Sequence, residues 1–182
     1  MPVKPVINSR EIIARTRLFA VEALELTFSN GEQRSYERLI GSPHGAVLVV
    51  PLIDPETILM IREYSAGTER YELALPKGRL EAGESLTDGA NRELAEEIGY
   101  AANTITELNS FTISPGYMSH RIEVLLAEDL YEKTAIGDEP EPLEVVPIKL
   151  AELHQVIQRE ECSEARSIAA LFAAKEHLQH RE

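Results

Sequence analysis

Cysteine is almost absent from this 182-residue chain, which contains only Cys162. A single thiol rules out an internal disulfide and is typical of proteins in a reducing cytoplasm, where we expect this protein to be. Long apolar runs are also missing, because no stretch approaches the roughly 20 residues of a membrane span. The first four residues, Met1-Pro2-Val3-Lys4, do not resemble a signal peptide, and the chain has no internal repeat or low-complexity tract.

Basic residues are scarce as well. The chain has 18 Lys and Arg against 31 Asp and Glu, which gives a net charge of −13. This balance argues against a nucleic-acid polymer or an anionic membrane as a partner. A phosphate-containing substrate would also be repelled, unless clustered carboxylates bound divalent cations.

The composition is otherwise that of a globular protein, with 43% hydrophobic and 27% charged residues. Its length supports one domain with a sizeable core and a small appendage. Residues 1–10 are polar, contain two prolines and are predicted to form an arm or to be disordered. Apolar and polar residues then alternate over Thr16–Phe28, and a strand returns over Gln33–Leu39 after a turn. Since a lone hairpin is marginally stable, it must pack on the main domain or on another subunit.

A boundary is predicted at Gly41–Gly45, which divides the chain into an arm and β-hairpin (1–40) and a main domain (41–182). The main domain contains short strand patterns interspersed with helical ones. This mixture predicts an α+β fold in which helices flank the sheet. The predicted strands are Ala46–Ile53, Thr57–Arg62, Tyr71–Leu75, Ile105–Ile113 and Arg121–Glu128, and the predicted helices are Leu86–Ile98, Leu150–Ile157 and Ser163–Leu178.

The most informative stretch runs from Gly78 to Tyr100. It matches the pattern G-x5-E-x7-R-E-U-x-E-E-x-G-U, where U is apolar, at every position. With residue usage of roughly one in fifteen, seven fixed matches arise by chance with a probability on the order of 10⁻⁸ per starting position, so the motif is a strong signal. The seven residues are Gly78, Glu84, Arg92, Glu93, Glu96, Glu97 and Gly99.

This motif contains a helix in which the glutamates are poorly placed for a solvated surface. Ser85 is suited to the N-cap and Gly99 to the residue after the helix. At about 100° per residue, Glu97 falls within the apolar stripe, Glu93 lies on its edge and Glu96 lies farther out.

Most charge runs are solvated faces, but two arguments oppose that interpretation here. Glu93 and Glu97 are like charges at i,i+4, and neither has a basic residue at the usual compensating spacings. Glu96 and Glu97 also lie in the last turn, where the helix dipole disfavours anions. These carboxylates therefore need a cation, and hard oxygen ligands select Mg²⁺ or Mn²⁺.

Arg92 is expected to organise the loop, since Asp88 and Glu96 lie four residues away and Glu84 comes within reach if the loop folds back.

The motif resembles the box of the Nudix hydrolases, which cleave a nucleoside diphosphate linked to another moiety, X. The resemblance implies an αβα sandwich fold with a mixed sheet between helices, and bound Mg²⁺ or Mn²⁺. It implies that Glu93 and Glu97 are metal ligands, with Glu96 as a third ligand. The residues that would brace the box are Gly78, Glu84, Arg92 and Gly99.

Several stretches beyond the box are informative as well, namely Ala14–Phe19, Phe28–Gly31, Ile61–Tyr64, Gly67–Glu69, Tyr71–Leu73, Gly137–Pro142 and Glu164–Arg166. In these stretches the chain resembles the NudE-type branch of this family, the bacterial ADP-compounds hydrolases. That resemblance implies hydrolysis of ADP-ribose, diadenosine polyphosphates such as Ap3A, and NADH, with release of AMP. It also implies a homodimer.

Two departures from related ADP-ribose pyrophosphatases concern substrate contacts. Those enzymes contain an Arg-x-Tyr-Arg stretch, and Ser65 replaces its second arginine in this chain. They also have an acidic residue shortly after Pro-Gly-Tyr, and the corresponding position in this chain is at about His120. Lys77 is either a phosphate contact or a surface lysine. Tyr64, Tyr71 and Tyr117 either stack on adenine or belong to the core. The predicted substrate contacts are Arg62, Tyr64, Lys77, Tyr117 and His120.

The resemblance also implies that a glutamate in a loop after the box activates the water. Glu139 and Glu141 match that placement, with a solvated acidic turn as the alternative, and His120 is a secondary candidate for the base. Other functions stay open at this point. They are a Nudix domain that binds a ligand without turnover, a hydrolase of another nucleotide, and isomerase or decapping-like chemistry on the same fold.

Overall fold

A computed structural model describes residues 2–181, which form two compact units. The first unit comprises residues 2–43 and 112–121, and the second comprises residues 44–111 and 122–181. The predicted arm begins at Met1 and the predicted main domain ends at Glu182, and both of these residues lie outside the described range.

The first unit contains a three-stranded antiparallel sheet of β1 (Val6–Arg15), β2 (Ala20–Thr27) and β3 (Gln33–Leu39) in that order. The predicted hairpin of β2 and β3 is confirmed, with Gly31 at a φ of +86° in the turn. The predicted strand over Thr16–Phe28 begins too early, because Thr16 accepts a hydrogen bond from the backbone N–H of Phe19 (2.9 Å) and closes a turn.

The prediction of an arm over residues 1–10 is wrong for the part that forms β1. This strand pairs with β2 from Val6–Thr27 to Arg15–Ala20. All ten of its side chains are exposed, so its sequence carries no alternation of buried and exposed residues. Backbone pairing with β2 defines it, and a sequence pattern does not record such pairing.

The second unit is built on a seven-stranded mixed sheet. Five strands follow the order β10-β5-β4-β9-β8, while β6 pairs with β5 and β7 pairs with β4. The β4–β9 pair is parallel and the β4–β5 pair antiparallel. The strands are β4 (Ala46–Asp54), β5 (Thr57–Ser65), β6 (Arg70–Ala74), β7 (Lys77–Arg79), β8 (Tyr100–Thr112), β9 (Arg121–Glu132) and β10 (Glu144–Lys149).

Helices cover both faces of this sheet. They are α1 (Leu86–Glu97), α2 (Leu153–Val156) and α3 (Ala165–Gln179). Side chains of β4 alternate between the two faces, so Val47 packs in one core with α1 while Leu48 packs in the other with α2 and α3. The predicted sandwich of a mixed sheet between helices is therefore confirmed.

Two short strands and one helix differ from the expectation. β7 was not predicted, and the residues of β10 were expected only to lead into a helix. Pro147 lies within β10, which a strand tolerates here because β10 is at the edge of the sheet. The helix predicted over Leu150–Ile157 is a 3₁₀ turn, Leu150–Glu152, followed by α2. No helix between residues 2 and 181 is long and apolar enough to cross a membrane.

Candidate active site

Helix α1 carries the glutamates of the motif and has the predicted ends. The Ser85 side chain accepts a hydrogen bond from the backbone N–H of Asp88 (3.1 Å) and donates one to its carboxylate (2.6 Å). Asp88 is therefore engaged at the N-cap, and the expected contact with Arg92 does not form among the described contacts. Gly99, at a φ of +75°, follows the helix, as predicted. The last turn contains no basic residue, so the helix itself offers its terminal carboxylates no compensation.

Glu97 has a strongly raised pKa. It is 8% exposed, and burial raises its pKa to about 9. Its carboxylate accepts one hydrogen bond, at 3.2 Å, from the backbone N–H of Lys77 on β7. Without a cation this side chain is mostly protonated at neutral pH, as expected for an acid held in an apolar arc.

Glu93 is buried to the same degree, at 7% exposed, but has a basic neighbour. Burial raises its pKa, and a hydrogen bond from Arg92 (2.8 Å) opposes that effect. The charges of Glu96 and Glu139 add to the rise. The sequence has no basic residue three or four positions from Glu93, but the long side chain of the adjacent Arg92 reaches its carboxylate.

Arg92 joins the helix to the loop that precedes it. Its guanidinium donates two hydrogen bonds to Glu84 (2.8 and 3.0 Å) and one to Glu96 (3.1 Å). Another hydrogen bond reaches the backbone carbonyl of Arg79 (2.8 Å). Arg92 is the main cause of the lowered pKa of Glu84, and Glu84 is the main cause of the raised pKa of Arg92. This arrangement fits the predicted loop brace.

Gly78 provides the space that Glu93 occupies. A Cβ atom at position 78 would lie in hard contact with all three terminal atoms of the Glu93 carboxylate. The glycine of the motif thus allows the Glu93 carboxylate to lie against the backbone of β7. The backbone conformation does not require it, because the φ of Gly78 is not positive.

Replacing Gly78 with alanine should therefore displace the Glu93 carboxylate. We expect kcat to fall by at least a hundredfold, because a shift of about 1 Å in a catalytic group costs on that order. Ala151→Val is the control for added side-chain atoms, because Ala151 is exposed and lies in the 3₁₀ turn rather than on β7 or α1. Steady-state kinetics of both variants, with thermal melts to check folding, test this prediction, and equal rates in the two variants would contradict it.

An acidic loop lies beside Glu96. Together they enclose a hollow of about 230 Å³, lined by Glu96, Gly137 and residues 139–143. Gly137 packs closely there, because a Cβ on it would be in hard contact with the Glu139 carboxylate and 3.4 Å from Cβ of Glu96. The loop candidates for the base are therefore next to the glutamates of α1.

Glu141 of this loop has a partner that the sequence did not reveal. Its carboxylate accepts a hydrogen bond from the Tyr71 hydroxyl at 2.6 Å, which raises the pKa of Tyr71. Tyr71 also packs edge-to-face on Tyr64, with ring centroids 5.6 Å apart. The two tyrosines face each other across β5 and β6, and both are about half exposed, so neither is a core aromatic.

Three of the predicted substrate contacts lie in the second unit. Lys77 is an ion-paired side chain whose amine donates to Glu63 (2.9 Å). Arg62 bonds to Glu161 (3.0 and 3.1 Å), while Tyr64 is 52% exposed. The role of these residues toward a substrate stays a prediction.

The other two predicted contacts, Tyr117 and His120, lie in the first unit. The ring of Tyr117 is 59% exposed, and its backbone carbonyl accepts a hydrogen bond from Leu39 (2.9 Å). Their role also stays a prediction.

Glu63 is a site neighbour that sequence reasoning did not assign, and the hydrogen bond between Tyr71 and Glu141 was not predicted either. Glu63 had a detectable signal, because it follows Leu59 and Ile61 at spacings of two on β5, and both of those residues pack beneath α1. Tyr71 had no such signal, since its hydroxyl partner is 70 residues away in the chain.

The carboxylates of α1 suit a divalent cation in their chemistry. All are oxygen donors, Glu97 is buried without a cationic side chain bonded to it, and Gly78 leaves the Glu93 carboxylate room beside the backbone. The side chains are not arranged as a finished site, because Arg92 holds Glu93 and Glu96, and no three ligating side chains in the described part of the chain converge on one point. The donor set therefore fits Mg²⁺ or Mn²⁺ once those two carboxylates turn toward the ion.

Comparisons with known proteins agree with this geometry. Residues 42–172 match the model of the NUDIX domain, and residues 5–38 match that of the NudE-type Nudix hydrolase N-terminal domain. The chain is 45% identical to the ADP compounds hydrolase NudE of Escherichia coli, over 96% of this chain and 94% of that protein.

Two further relatives span nearly the whole chain. The ADP-ribose pyrophosphatase of Bacillus subtilis is 32% identical, over 92% of this chain and 94% of its own. A crystal structure of an ADP compounds hydrolase superposes with a TM-score of 0.91 at 43% identity, covering 100% of this chain and 99% of that one. The similarity therefore includes the N-terminal unit as well as the motif.

Proposed function

The chain belongs to the Nudix hydrolase family and is a pyrophosphohydrolase, and we propose that it cleaves the diphosphate linkage of ADP compounds and releases AMP. The proposed substrates are ADP-ribose, diadenosine polyphosphates such as Ap3A, and NADH. The observation that carries the proposal is the buried pair of Glu93 and Glu97 beside Gly78, on a helix with no basic residue in its last turn. The names of the relatives support the ADP moiety.

Glu93 and Glu97 would hold Mg²⁺ or Mn²⁺, with Glu96 as a third ligand. A bound divalent cation neutralises the diphosphate and lowers the pKa of the attacking water. Arg92 and Glu84 keep the loop before α1 folded against the helix, as their paired hydrogen bonds indicate. Lys77 would donate to a phosphate oxygen, and the contact of its backbone N–H with Glu97 supports this role because it keeps the residue beside α1.

One of the loop glutamates would act as the general base. Glu139 or Glu141 would accept a proton from the water while the oxygen of that water bonds to one phosphorus. The bond from that phosphorus to the bridging oxygen then breaks. The products are AMP and the phosphate of X. Of the two, Glu139 is favoured because its charge contributes to the raised pKa of Glu93. Tyr64, Tyr117, Arg62 and His120 remain the proposed contacts to the rest of the substrate.

A product assay tests this function. Purified protein is incubated with Mg²⁺ or Mn²⁺ and separately with ADP-ribose, Ap3A, NADH, coenzyme A or deoxynucleoside triphosphates, and products are separated by chromatography. We expect AMP from the ADP compounds and none after removal of the metal with EDTA. Absence of turnover with every compound would refute the enzyme and favour a Nudix domain that only binds its ligand.

We also propose that residues 1–40 form a dimerisation extension of a cytoplasmic homodimer, with residues 41–182 as the catalytic domain. Apolar side chains of β1 are exposed, namely Val6, Ile7, Ile12 and Ile13. The first unit also carries seven of the 18 basic residues but only five of the 31 acidic ones, so charge would favour its contact with an acidic second unit of another copy. Sedimentation equilibrium should give twice the chain mass of 20.3 kDa.

A further inference from the structure

The side chain of Asn91, on α1, is hydrogen-bonded to the backbone of β8. Its amide oxygen accepts a hydrogen bond from the backbone N–H of Ala102 (2.7 Å), and its amide nitrogen donates one to the backbone carbonyl of the same residue (3.3 Å). Ala102 is only 5% exposed, so both of its backbone groups need partners. The motif accepts any residue at position 91, and the sequence pattern therefore gives this asparagine no role.

These two hydrogen bonds resemble the pairing that a neighbouring strand would provide. β8 is at one end of the order of the described sheet, and a primary amide carries both a donor and an acceptor, as a backbone peptide group does. Ala102 also packs in the same core as Ala90, Leu94 and Ile98 of α1. The hydrogen bonds of Asn91 therefore adjoin the apolar contact between α1 and β8.

The short connection between α1 and β8 makes this second attachment important. Only Ile98 and Gly99 separate the two elements, and Gly99 has a φ of +75°. Asn91 joins the helix to the strand again, through a residue 11 positions away in the chain. Apolar packing defines the rotation of a helix weakly, because hydrophobic burial is non-directional, whereas two hydrogen bonds from one amide require one orientation.

The proposed metal ligands lie on the other side of α1. At about 100° per residue, Glu93 is about 160° and Glu97 about 120° from Asn91 around the helix axis. On that side the backbone N–H of Lys77, on β7, donates a hydrogen bond to Glu97 (3.2 Å). The helix is therefore hydrogen-bonded to β8 on one side and to β7 on the other.

A small rotation of α1 would displace these carboxylates. A helix with its side chains has a radius of about 5–6 Å, so a rotation of about 10° moves the ends of the side chains by about 1 Å. Shifts of that size in a catalytic group cost on the order of a hundredfold in rate. Removal of a group that orients a metal ligand weakens metal binding or activity by about ten- to a hundredfold.

We propose that Asn91 is a positioning residue of the metal site, because its paired hydrogen bonds to Ala102 fix the rotation of α1 and so hold Glu93 and Glu97 toward β7. This inference rests on the proposed function and deepens it. Asn91 itself touches neither the cation nor the substrate, and its effect passes through the helix.

Removal of the amide tests this role. Asn91→Ala deletes both hydrogen bonds and keeps a good helix former at the position. Asn103→Ala is the matched control, because Asn103 is an exposed asparagine on the same strand as Ala102, and its amide donates to Asp129 rather than to α1. The measurements are Mn²⁺ affinity by electron paramagnetic resonance of the free ion, kcat and KM for AMP release, and Tm in EDTA.

We expect Asn91→Ala to weaken the tightest Mn²⁺ site about tenfold and to lower kcat at least tenfold, with KM within twofold of the wild-type value. Asn103→Ala should match the wild type in all three quantities. A purely structural role would lower the Tm of Asn91→Ala but leave its Mn²⁺ affinity unchanged well below that temperature, and this result would overturn the proposal.

A second variant covers the case in which Asn91→Ala does not fold. Asn91→Asp keeps the size of the side chain and the acceptor for the N–H of Ala102, but it places another acceptor against the carbonyl of that residue. The added negative charge alone would strengthen the binding of a cation. A Mn²⁺ affinity at least threefold weaker than that of the wild type would therefore support positioning by Asn91, and equal or stronger binding would overturn it.

The Mn²⁺ measurement also separates this inference from the proposed function. If the wild-type protein releases no AMP from any ADP compound, but Asn91→Ala still weakens Mn²⁺ binding, the proposed function fails and the positioning role holds. If the wild-type protein releases AMP and Asn91→Ala binds Mn²⁺ as tightly as the wild type, only the positioning role fails.

Discussion

Replacing Glu97 with glutamine should lower kcat for AMP release by about a thousandfold, which corresponds to about 4 kcal/mol of transition-state free energy. The amide keeps the shape of the side chain and its acceptor for the backbone N–H of Lys77, at 3.2 Å in the structure, but it cannot supply a buried negative charge to a cation. Glu107→Gln is the matched control, because it removes the same charge from an exposed position on β8. Initial rates with saturating Mg²⁺ measure the difference.

The same substitution should make the metal-free protein more stable. Burial raises the folded-state pKa of Glu97 to about 9, whereas the ordinary value for an exposed glutamate is 4.5. The unfolded chain therefore releases a proton that the folded chain retains, and the stability of the wild-type protein falls as the pH rises from 4.5 toward 9. Glutamine does not ionise, so at pH 8 in EDTA the variant should gain on the order of 1–2 kcal/mol, or about 5 °C in Tm.

Either of two results would contradict this interpretation of Glu97. One is a variant that keeps more than a tenth of the wild-type kcat, because the side chain would then not be a metal ligand. The other is a variant whose Tm in EDTA is the same as that of the wild type at pH 8, since the buried charge would then cost the fold nothing. Measuring both quantities in Glu107→Gln separates the role of Glu97 from a general effect of net charge.

Removing the catalytic base should have the second largest effect. If Glu139 or Glu141 takes the proton from the water, its replacement by glutamine should lower kcat by at least a hundredfold, in the range typical of general bases. Metal binding and KM should change little, because neither residue is among the proposed ligands on α1. Since both side chains border the hollow beside Glu96, each variant needs to be assayed separately.

The Tyr71→Phe variant would distinguish Glu139 from Glu141 as the base. The Tyr71 hydroxyl donates to Glu141 at 2.6 Å, so Tyr71→Phe should lower kcat about tenfold if Glu141 is the base and should leave it unchanged if Glu139 is. Tyr36→Phe is the control for loss of a hydroxyl from an exposed tyrosine that packs on another ring. Unchanged rates in Glu139→Gln and Glu141→Gln alike would refute the assignment of the base to this loop.

The catalytic helix was predictable from the sequence because the relevant signals are local. The capping side chain of Ser85, the positive φ at Gly99 and the apolar stripe all lie within about 15 residues, and the structure reproduces them. The burial of Glu93 and Glu97 also followed from the helical period alone. The order of the layers around the sheet could be expected only from the resemblance to the family.

The missed strands have a common physical cause. β1 is exposed along its whole length and β7 is only three residues long, so neither carries a period-2 apolar pattern. β10 contains Pro147, which suggests a break in a strand, yet an edge strand with one partner tolerates it. In each case backbone pairing with a distant strand defines the element.

Parts of the site were unpredictable for the same reason. The Lys77–Glu63 pair and the Tyr71–Glu141 hydrogen bond join residues 14 and 70 positions apart, on elements that the sheet brings together. Arg92 shows a different limitation. Helical spacing pointed to Asp88 and Glu96, but a flexible guanidinium also reaches the adjacent Glu93.

We propose that Glu93 and Glu97 form a cation site, and that the fold tolerates these two carboxylates poorly when the site is empty. Titration of Mn²⁺ into the wild-type protein, Glu97→Gln and Glu107→Gln, followed by electron paramagnetic resonance of free Mn²⁺, tests it most directly. We predict that Glu97→Gln weakens the tightest Mn²⁺ site at least thirtyfold, while Glu107→Gln binds like the wild type. Equal Mn²⁺ affinity in all three proteins would contradict the account.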